Sequence, residues 1–249
     1  MNKYIFLPFI LFFEIVCAQK QIHIQYLNVR SPIANVKEDL YSNGKNVISK
    51  QDGNFIWTDP EFSKKRKGLD FYFISNIDGT QNDRDFFFNS FVKDNAEDYY
   101  FVHDKVPHIE WKIDENSTKK ILDYECTKAT AVFRGSSITA YFTKEIPYPI
   151  GPFKFFGLPG AILDVRVNNK NYDLWKAVKV DLNNNVKINY QPEFSAYKKM
   201  NMKDFIILKD EANRNYGKDV VVPAGTTVKS LGGRFGVEKT FEWEIPPTQ

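Results

Sequence analysis

Ala161-Ile162-Leu163-Asp164-Val165-Arg166-Val167, followed by Asn168-Asn169-Lys170-Asn171 and then Tyr172-Asp173-Leu174-Trp175-Lys176-Ala177-Val178-Lys179-Val180, is the stretch that decides the fold class. Ala161, Leu163, Val165 and Val167 recur at every second residue, set against Asp164 and Arg166. Tyr172, Leu174, Val178 and Val180 continue the apolar spacing after the break. A period of two is the strand period, because successive side chains of an extended backbone point to opposite faces. The polar residues Asn168 to Asn171 between the two runs predict a tight turn, so the pair reads as a β-hairpin.

The same period recurs outward from this hairpin. Ile22, Ile24 and Tyr26 alternate with polar residues, and Leu69, Phe71 and Phe73 line one face of another strand. Phe86-Phe87-Phe88 and Tyr99-Tyr100-Phe101-Val102 do not alternate, which predicts strands buried on both faces. Gly135-Ser136 separates a strand ending at Phe133 from one over Ile138–Thr143, a second hairpin. Val220-Val221-Val222-Pro223 and Phe241-Glu242-Trp243-Glu244-Ile245 also read as strands. One stretch is helical by its spacing, from about 203 to 216, with Phe205, Ile206, Leu208 and Ala212 on one face and Gly217 as the stop. No repeat, heptad or Pro/Ser/Gly linker divides the chain. The expectation is a mainly-β antiparallel, sandwich-like single domain over 19–249 with one helix in its C-terminal half.

Composition narrows the function classes. The chain has 249 residues, 43% hydrophobic and 16% aromatic, with 34 basic against 31 acidic side chains. That aromatic load excludes a disordered chain, and a net charge of +3 argues against nucleic-acid binding through a basic surface. The two cysteines, Cys17 and Cys126, are too few for a disulfide scaffold or an all-cysteine zinc site.

Residues 1–18 read as a signal peptide: Lys3 before an apolar run over Tyr4–Phe13, then Val16-Cys17-Ala18 as a small-residue exit. The run is shorter than the roughly 20 residues of a membrane-spanning helix. A lipoprotein acylated at Cys17 and a buried N-terminal element are the alternatives. Cleavage after Ala18 leaves no transmembrane span and a single thiol, Cys126, expected to be buried.

Signatures of chemistry are sparse. His108-Ile109-Glu110, read as a strand, puts His108 and Glu110 on one face about 7 Å apart, but neither HExxH nor CxxC accompanies them, and no metal site or cofactor is assigned. Asp123 and Glu125 would share a strand face, as glycosidase carboxylate pairs share a site. Gly135-Ser136-Ser137 is not a nucleophile elbow. Gly232-Gly233-Arg234-Phe235-Gly236 is not a dinucleotide fingerprint and reads as a turn. Trp57, Trp111, Trp175 and Trp243 are either core residues or a ligand platform.

The least ordinary segment joins the strand ending near Lys144 to the strand starting at Ala161. Ile146-Pro147-Tyr148-Pro149 is extended, because each proline lacks an N–H and constrains its predecessor. Leu158-Pro159-Gly160 predicts a type II turn with positive φ at Gly160, and Gly157 a close backbone approach. Such a long, constrained connection serves either as a binding element or as an architectural crossover packing Phe153, Phe155 and Phe156 over the sheet.

Gly157-Leu158-Pro159-Gly160-Ala161-Ile162 resembles the hexapeptide for which the GLPGLI family is named. Tyr124-Glu125-Cys126, Lys128-Ala129-Thr130, Phe133-Arg134-Gly135, Glu145-Ile146-Pro147 and Gly151-Pro152-Phe153-Lys154-Phe155 resemble the flanking pattern in the same order. Ala161 stands where leucine is usual, Ser136 where arginine is usual, and Ala140-Tyr141-Phe142-Thr143 where Ala-Trp-Tyr-Thr is commoner. The resemblance implies an exported protein of the periplasm or outer membrane of Bacteroidetes, mostly of unknown function, some members being encoded near TonB-dependent receptors. It implies no catalytic residues and no cofactor.

The reading that follows is a non-enzymatic envelope module binding an outer-membrane or periplasmic protein, or a peptide-like ligand. Arg134, Glu145, Lys154, Leu158 and Pro159 are its binding residues, and Cys126 with Gly157–Ile162 is its structural motif. The rival is an envelope hydrolase using Asp123, Glu125, Glu145 or His108. Metal handling by His108, Glu110 and Cys126 is the third option.

Overall fold

The structure is a computed structural model, and it describes residues 21–31, 34–53, 56–57, 69–77, 83–92, 98–215 and 233–244. The expected signal peptide and the expected strand at Val220–Pro223 lie outside these residues. Strands follow one another along the chain: β1 (Gln21–Ser31), β2 (Ala34–Ser42), β3 (Asn46–Gln51), β4 (Ile56–Trp57), β5 (Phe71–Asn76), β6 (Arg84–Phe91) and β7 (Tyr99–Val106). Then come β8 (Lys112–Ile121), β9 (Tyr124–Phe133), β10 (Ser136–Thr143), β11 (Ala161–Val167), β12 (Leu174–Asn184), β13 (Lys198–Asn201) and the helix α1 (Met202–Asn215).

All thirteen strands among the described residues belong to one sheet, in the order β13-β7-β6-β5-β3-β2-β1-β12-β11-β10-β9-β8, with β4 added beside β2. Every pairing is antiparallel except β13 with β7. In a flat sheet the β9–β10 turn would lie some eight strands, or roughly 40 Å, from β7. Yet Arg134 of that turn holds Asp104 of β7 at 2.7 Å. The sheet therefore curls into a trough whose two flanks meet.

The connection between β10 and β11, residues 144–160, fills the trough and is called the strap below. Its Phe153 ring lies against Phe73 of β5, Phe133 of β9 and Trp175 of β12, while its N–H is donated to Glu38 of β2. Ile146, Ile150, Phe155, Phe156 and Leu158 are all at most 1% exposed. α1 covers the part of the trough under β6 and β7, where Met202, Phe205 and Ile206 meet Phe88, Tyr100, Val102 and Phe241. Asn201 caps it reciprocally: its Oδ1 accepts the N–H of Asp204, and its Nδ2 donates to the Asp204 carboxylate.

Most of the expected strands form, but several faces differ and two expected strands do not form. In β11 Ile162 and Asp164 are as buried as Ala161, Leu163 and Val165, because Lys119 and Arg166 both pair with the Asp164 carboxylate. In β12 the inward residues are Trp175 and Ala177, and Val178 is 44% exposed. The register against β1 slips at Val178, where Lys179 faces Gln25 and Ala177 faces Tyr26, so a bulge resets the phase. The expected double-sided burial of Phe86–Phe88 and Tyr99–Val102 is half right. Phe86, Phe88, Tyr100 and Val102 are buried, Tyr99 is exposed, and Phe87 and Phe101 are half-buried, stacking on each other and on His103 and Phe194 respectively. The expected strand at Phe241–Ile245 is instead a 3-10 turn, Glu242–Glu244, closed by the Phe241 N–H donating to the Glu244 carboxylate. His108 to Glu110 is not a strand either: β7 stops at Val106, and Pro107 offers no N–H to extend the ladder.

Two of the strap's three glycines, Gly157 and Gly160, exchange the roles expected of them. Positive φ falls at Gly157 (92°) and not at Gly160, so Leu158–Gly160 is no type II turn. Gly160 is the close approach: a Cβ there would sit 2.0 Å from the backbone oxygen of Thr143. Backbone cannot step aside as a side chain can, so Gly160→Ala is expected to cost about 3 kcal/mol, read as a lowered urea midpoint. An unchanged midpoint would show that the strap shifts freely.

Candidate functional site

The five residues singled out for binding divide between the interior and the surface. Arg134 occupies the first position of a two-residue hairpin turn, with φ of 41°, followed by Gly135 at 81°. A type I′ turn of this kind suits Asn-Gly, and an arginine there carries strain of about 1–2 kcal/mol. What holds it is a buried ion cluster. Both Nη atoms of Arg134 donate to Asp104, at 2.7 and 2.8 Å, and Nε donates to Glu242 at 3.0 Å. Lys154 of the strap donates to the same Asp104 at 2.6 Å and to both oxygens of Glu238 at 3.0 and 3.1 Å. Arg134, Lys154 and Asp104 side chains are only 1–2% exposed. Burial by itself would raise the Asp104 pKa, but the charges of Lys154 and Arg134 outweigh it and hold it down to about 2. The cluster joins the β9–β10 turn, β7, the strap and the segment 237–244. Leu158 is likewise interior, at 1% exposure.

Glu145 and Pro159 remain on the surface, at one end of the trough. Gly160 abuts Thr143 and Lys144, the residues just before Glu145. Glu145 Oε1 accepts the N–H of Glu125, and Lys144 pairs with Glu115. Both contacts fasten the strap to the β8–β9 hairpin. Between them lies an open concavity of about 350 Å³ lined by Thr118, Lys119, Lys120, Asp123, Glu125 and Glu145. Lys119 reaches across to Asp164 at 3.2 Å and lies 3.6 Å from the Tyr141 ring centroid. At the hairpin tip Leu122 is 42% exposed with φ of 52°. A leucine is unfavourable in that region of backbone space, and burial does not explain its use.

β8 contributes a second feature of this end. Among the described residues it pairs with β9 alone, and it is exposed over most of its length. Three residues, Glu115 to Ser117, bulge out of register between Asp114 and Thr118. Bulges and charged side chains are the usual guards against unwanted edge pairing.

The remaining candidates are placed as follows. Cys126 is fully buried with its Sγ 3.7 Å from the Tyr124 carbonyl, and burial pushes its thiol up to about 11. Native protein at pH 7–8 is therefore expected to resist alkylation, with one thiol per chain labelled on unfolding in a chain cleaved after Ala18; rapid native labelling would contradict this. His108 packs against Gly157 and Trp111, away from the concavity, with its Nδ1 buried and unpartnered. No group of three or more metal-ligating side chains gathers among the described residues. Trp175 is core, and Trp111 is half-buried with its Nε1–H donated to Phe156. Trp243 is 37% exposed, and the Trp57 side chain lies outside the described set. Sequence reading missed Asp104, Glu238 and Glu242, the partners of its own cations. It also missed Glu38, whose carboxyl group accepts from Ser49, Gln51, the Phe153 N–H and Trp175.

The class defined by this architecture is a curled, open antiparallel sheet with its own connection packed inside. Within it, residues 132–164 match a family described as "Protein of unknown function (Porph_ging)". That segment holds the Arg134 turn, β10 and the whole strap. The structure of PNGF-II in space group P21 is similar over 78% of this chain, with a TM-score of 0.51 and 15% identity. This chain spans 34% of that one, so the likeness concerns the fold alone. An uncharacterised conserved protein from Thermus thermophilus matches over 74% of this chain and 91% of its own length, at 11% identity and a TM-score of 0.37. No curated protein matches.

Proposed function

We propose that the protein is an exported cell-envelope module of the GLPGLI type that binds a partner protein or a peptide-like ligand. The observation that carries this is the division of the motif residues. Arg134, Lys154 and Leu158 build the interior, whereas Glu145 and Pro159 are delivered to one surface beside the charged concavity, the strained Leu122 and the β8 edge. A strap locked inside the trough fixes its exposed ends rigidly, as a recognition surface requires. The mixed signs of Lys120, Asp123, Glu125 and Glu145 suit a polypeptide, with its alternating polar groups, better than a uniformly charged polymer. An outer-membrane protein, such as a TonB-dependent receptor, is the partner class that the resemblance implies.

The test is site-specific photo-crosslinking in the source cell. A photoreactive residue at Pro159 or Lys120 is expected to give one discrete adduct in the envelope fraction, and the same residue at Val186 none. Absence of adducts at both positions, in a correctly processed protein, would sink the binding reading.

A hydrolytic reading draws on one observation, that Asp123, Glu125 and Glu145 all line the concavity. It predicts that purified protein turns over an envelope glycan or peptide and that Asp123→Asn or Glu145→Gln abolishes this. Turnover unaffected by both variants would remove these carboxylates from any chemistry.

A further inference from the structure

The three residues that bulge from β8, Glu115, Asn116 and Ser117, carry a motif that neither the strap nor the concavity uses. Asn116-Ser117-Thr118 has the form Asn-x-Ser/Thr, the acceptor signal for an N-linked glycan. The chain has 21 asparagines, and Asn116 alone has a serine or threonine two residues on. A motif this short recurs by chance, so its placement decides whether it can serve. A transferase needs an uncommitted carboxamide, an accessible hydroxyl two residues later, and backbone that is not locked in a ladder. All three conditions are met. Asn116 and Thr118 are both exposed. No group among the described residues is hydrogen-bonded to the Asn116 carboxamide; only its backbone N–H is engaged, donated to the Asp114 carboxylate at 3.2 Å. That bond turns the chain at the acceptor. Residues 115 to 117 have no counterpart on β9, whereas Asp114 and Thr118 face Lys128 and Thr127. The base of the bulge is anchored, since Glu115 is held by Lys144 of the strap at 2.9 Å.

We propose that Asn116 is a modification site, the acceptor of an N-linked oligosaccharide. The co-substrate class is an oligosaccharide carried on a polyprenyl diphosphate. Asn116 Nδ2 attacks the anomeric carbon of the first sugar. The bond from that carbon to the diphosphate oxygen breaks, and polyprenyl diphosphate leaves with the bonding pair. The amide nitrogen gives up one proton to a base of the transferase, and nothing is oxidised or reduced. The position suits such a group. A sugar chain on an exposed bulge displaces no packed side chain, and it is bulky and hydrated. Here it covers the edge of β8, adding to the bulge and the charges that already discourage pairing with another strand. Thr118 also lines the concavity, so the glycan stands near the rim of the proposed binding site. The inference rests on the export reading, because this signal is used in secreted proteins.

The experiment is intact-mass and peptide mass spectrometry of the protein purified from its source cells, beside Asn116→Gln and Thr118→Ala. The parent is expected to carry added mass equal to whole sugar residues on the peptide holding Asn116, and both variants to return to the polypeptide mass. Thr118→Ala is the sharper variant. It keeps the asparagine and removes only the signal, so deamidation or any other chemistry at the Asn116 amide would survive it. Both side chains are exposed, and a parent-like circular dichroism spectrum verifies that the variants fold. A parent at its polypeptide mass overturns the proposal. If that chain also retains residues 1–18, the export reading fails with it; if it begins at Gln19, export stands and the glycan alone is lost. Added mass that persists in either variant overturns the proposal equally, by placing the modification elsewhere or assigning it a different chemistry.

Discussion

Truncating Lys154 to alanine is expected to lower the unfolding free energy by about 3–5 kcal/mol, the usual cost of removing one partner from a buried ion pair. The reason is what remains. Asp104 is 1% exposed and would keep only Arg134, while Glu238 would lose its partner in the strap. Lys154→Met, which restores the volume without the charge, should recover little, because the deficit is electrostatic. Pairing it with Asp104→Asn should recover more, since no uncompensated charge is then left inside. The pH dependence has a definite sign. Asp104 is held at about 2 in the fold, against an ordinary value of about 3.9. A depressed carboxyl pKa contributes stability that is present above pH ~4 and is lost as pH falls toward 2, here about 2 kcal/mol. Urea midpoints at pH 7, 4 and 2.5 measure this loss. In Lys154→Ala the window should narrow, because the Lys154 charge is the chief influence opposing burial at Asp104. Equal acid sensitivity in parent and variant would show that Lys154 does not set it.

These same residues show how far the sequence could be read. A lysine and an arginine met in isolation imply surface, since such side chains are rarely buried unless paired. Their partners lie 50 and 30 residues away at Asp104, and 84 and 104 away at Glu238, distances over which a sequence pattern carries no signal. One local clue was available. Arg134-Gly135 occupies a two-residue turn where Asn-Gly would be unstrained, so some interaction must hold the arginine there. Strand existence was legible because period two survives wherever one face is buried. Strand phase was less so, because a bulge such as that at Val178 shifts the faces beyond it without leaving a mark in composition. The strap was recognised as constrained by its prolines and glycines. Whether it lay over the sheet or inside a trough depended on sheet curvature, which arises from thirteen strands together and from no one of them. The surface site was half legible: Glu145 leaves β10 beside its sheet neighbour β9, where it meets Glu125, but that strand order is not written in the sequence.

Glu38 is the clearest position where a buried polar residue could have been foreseen, and it carries the second large expected effect. Val36, Glu38 and Leu40 alternate on the inward face of β2 and are 1%, 0% and 0% exposed. A carboxyl group in that phase must find donors, and it finds four: Ser49 at 2.5 Å, the Phe153 N–H at 2.7 Å, and Gln51 and Trp175 at 2.8 Å. Glu38→Ala orphans all four, and at about 1–3 kcal/mol for each unsatisfied buried group, with water entering part of the space, a loss of about 4–6 kcal/mol is expected. Glu38→Gln discriminates the cause. Its amide oxygen can still accept two donors, while its NH₂ faces the other two. Ser49 can rotate and Gln51 can flip to accept, so a single N–H stays orphaned, that of Phe153 or of Trp175, and the expected loss falls to about 1–3 kcal/mol. If volume alone mattered, Glu38→Gln would cost nothing. Because Phe153 is the strap's donor, Glu38→Ala should also free the strap from β2, and limited proteolysis should cut within residues 144–160 before the sheet unfolds. Cleavage only after global unfolding would mean that the Lys154 cluster holds the strap without help from Glu38.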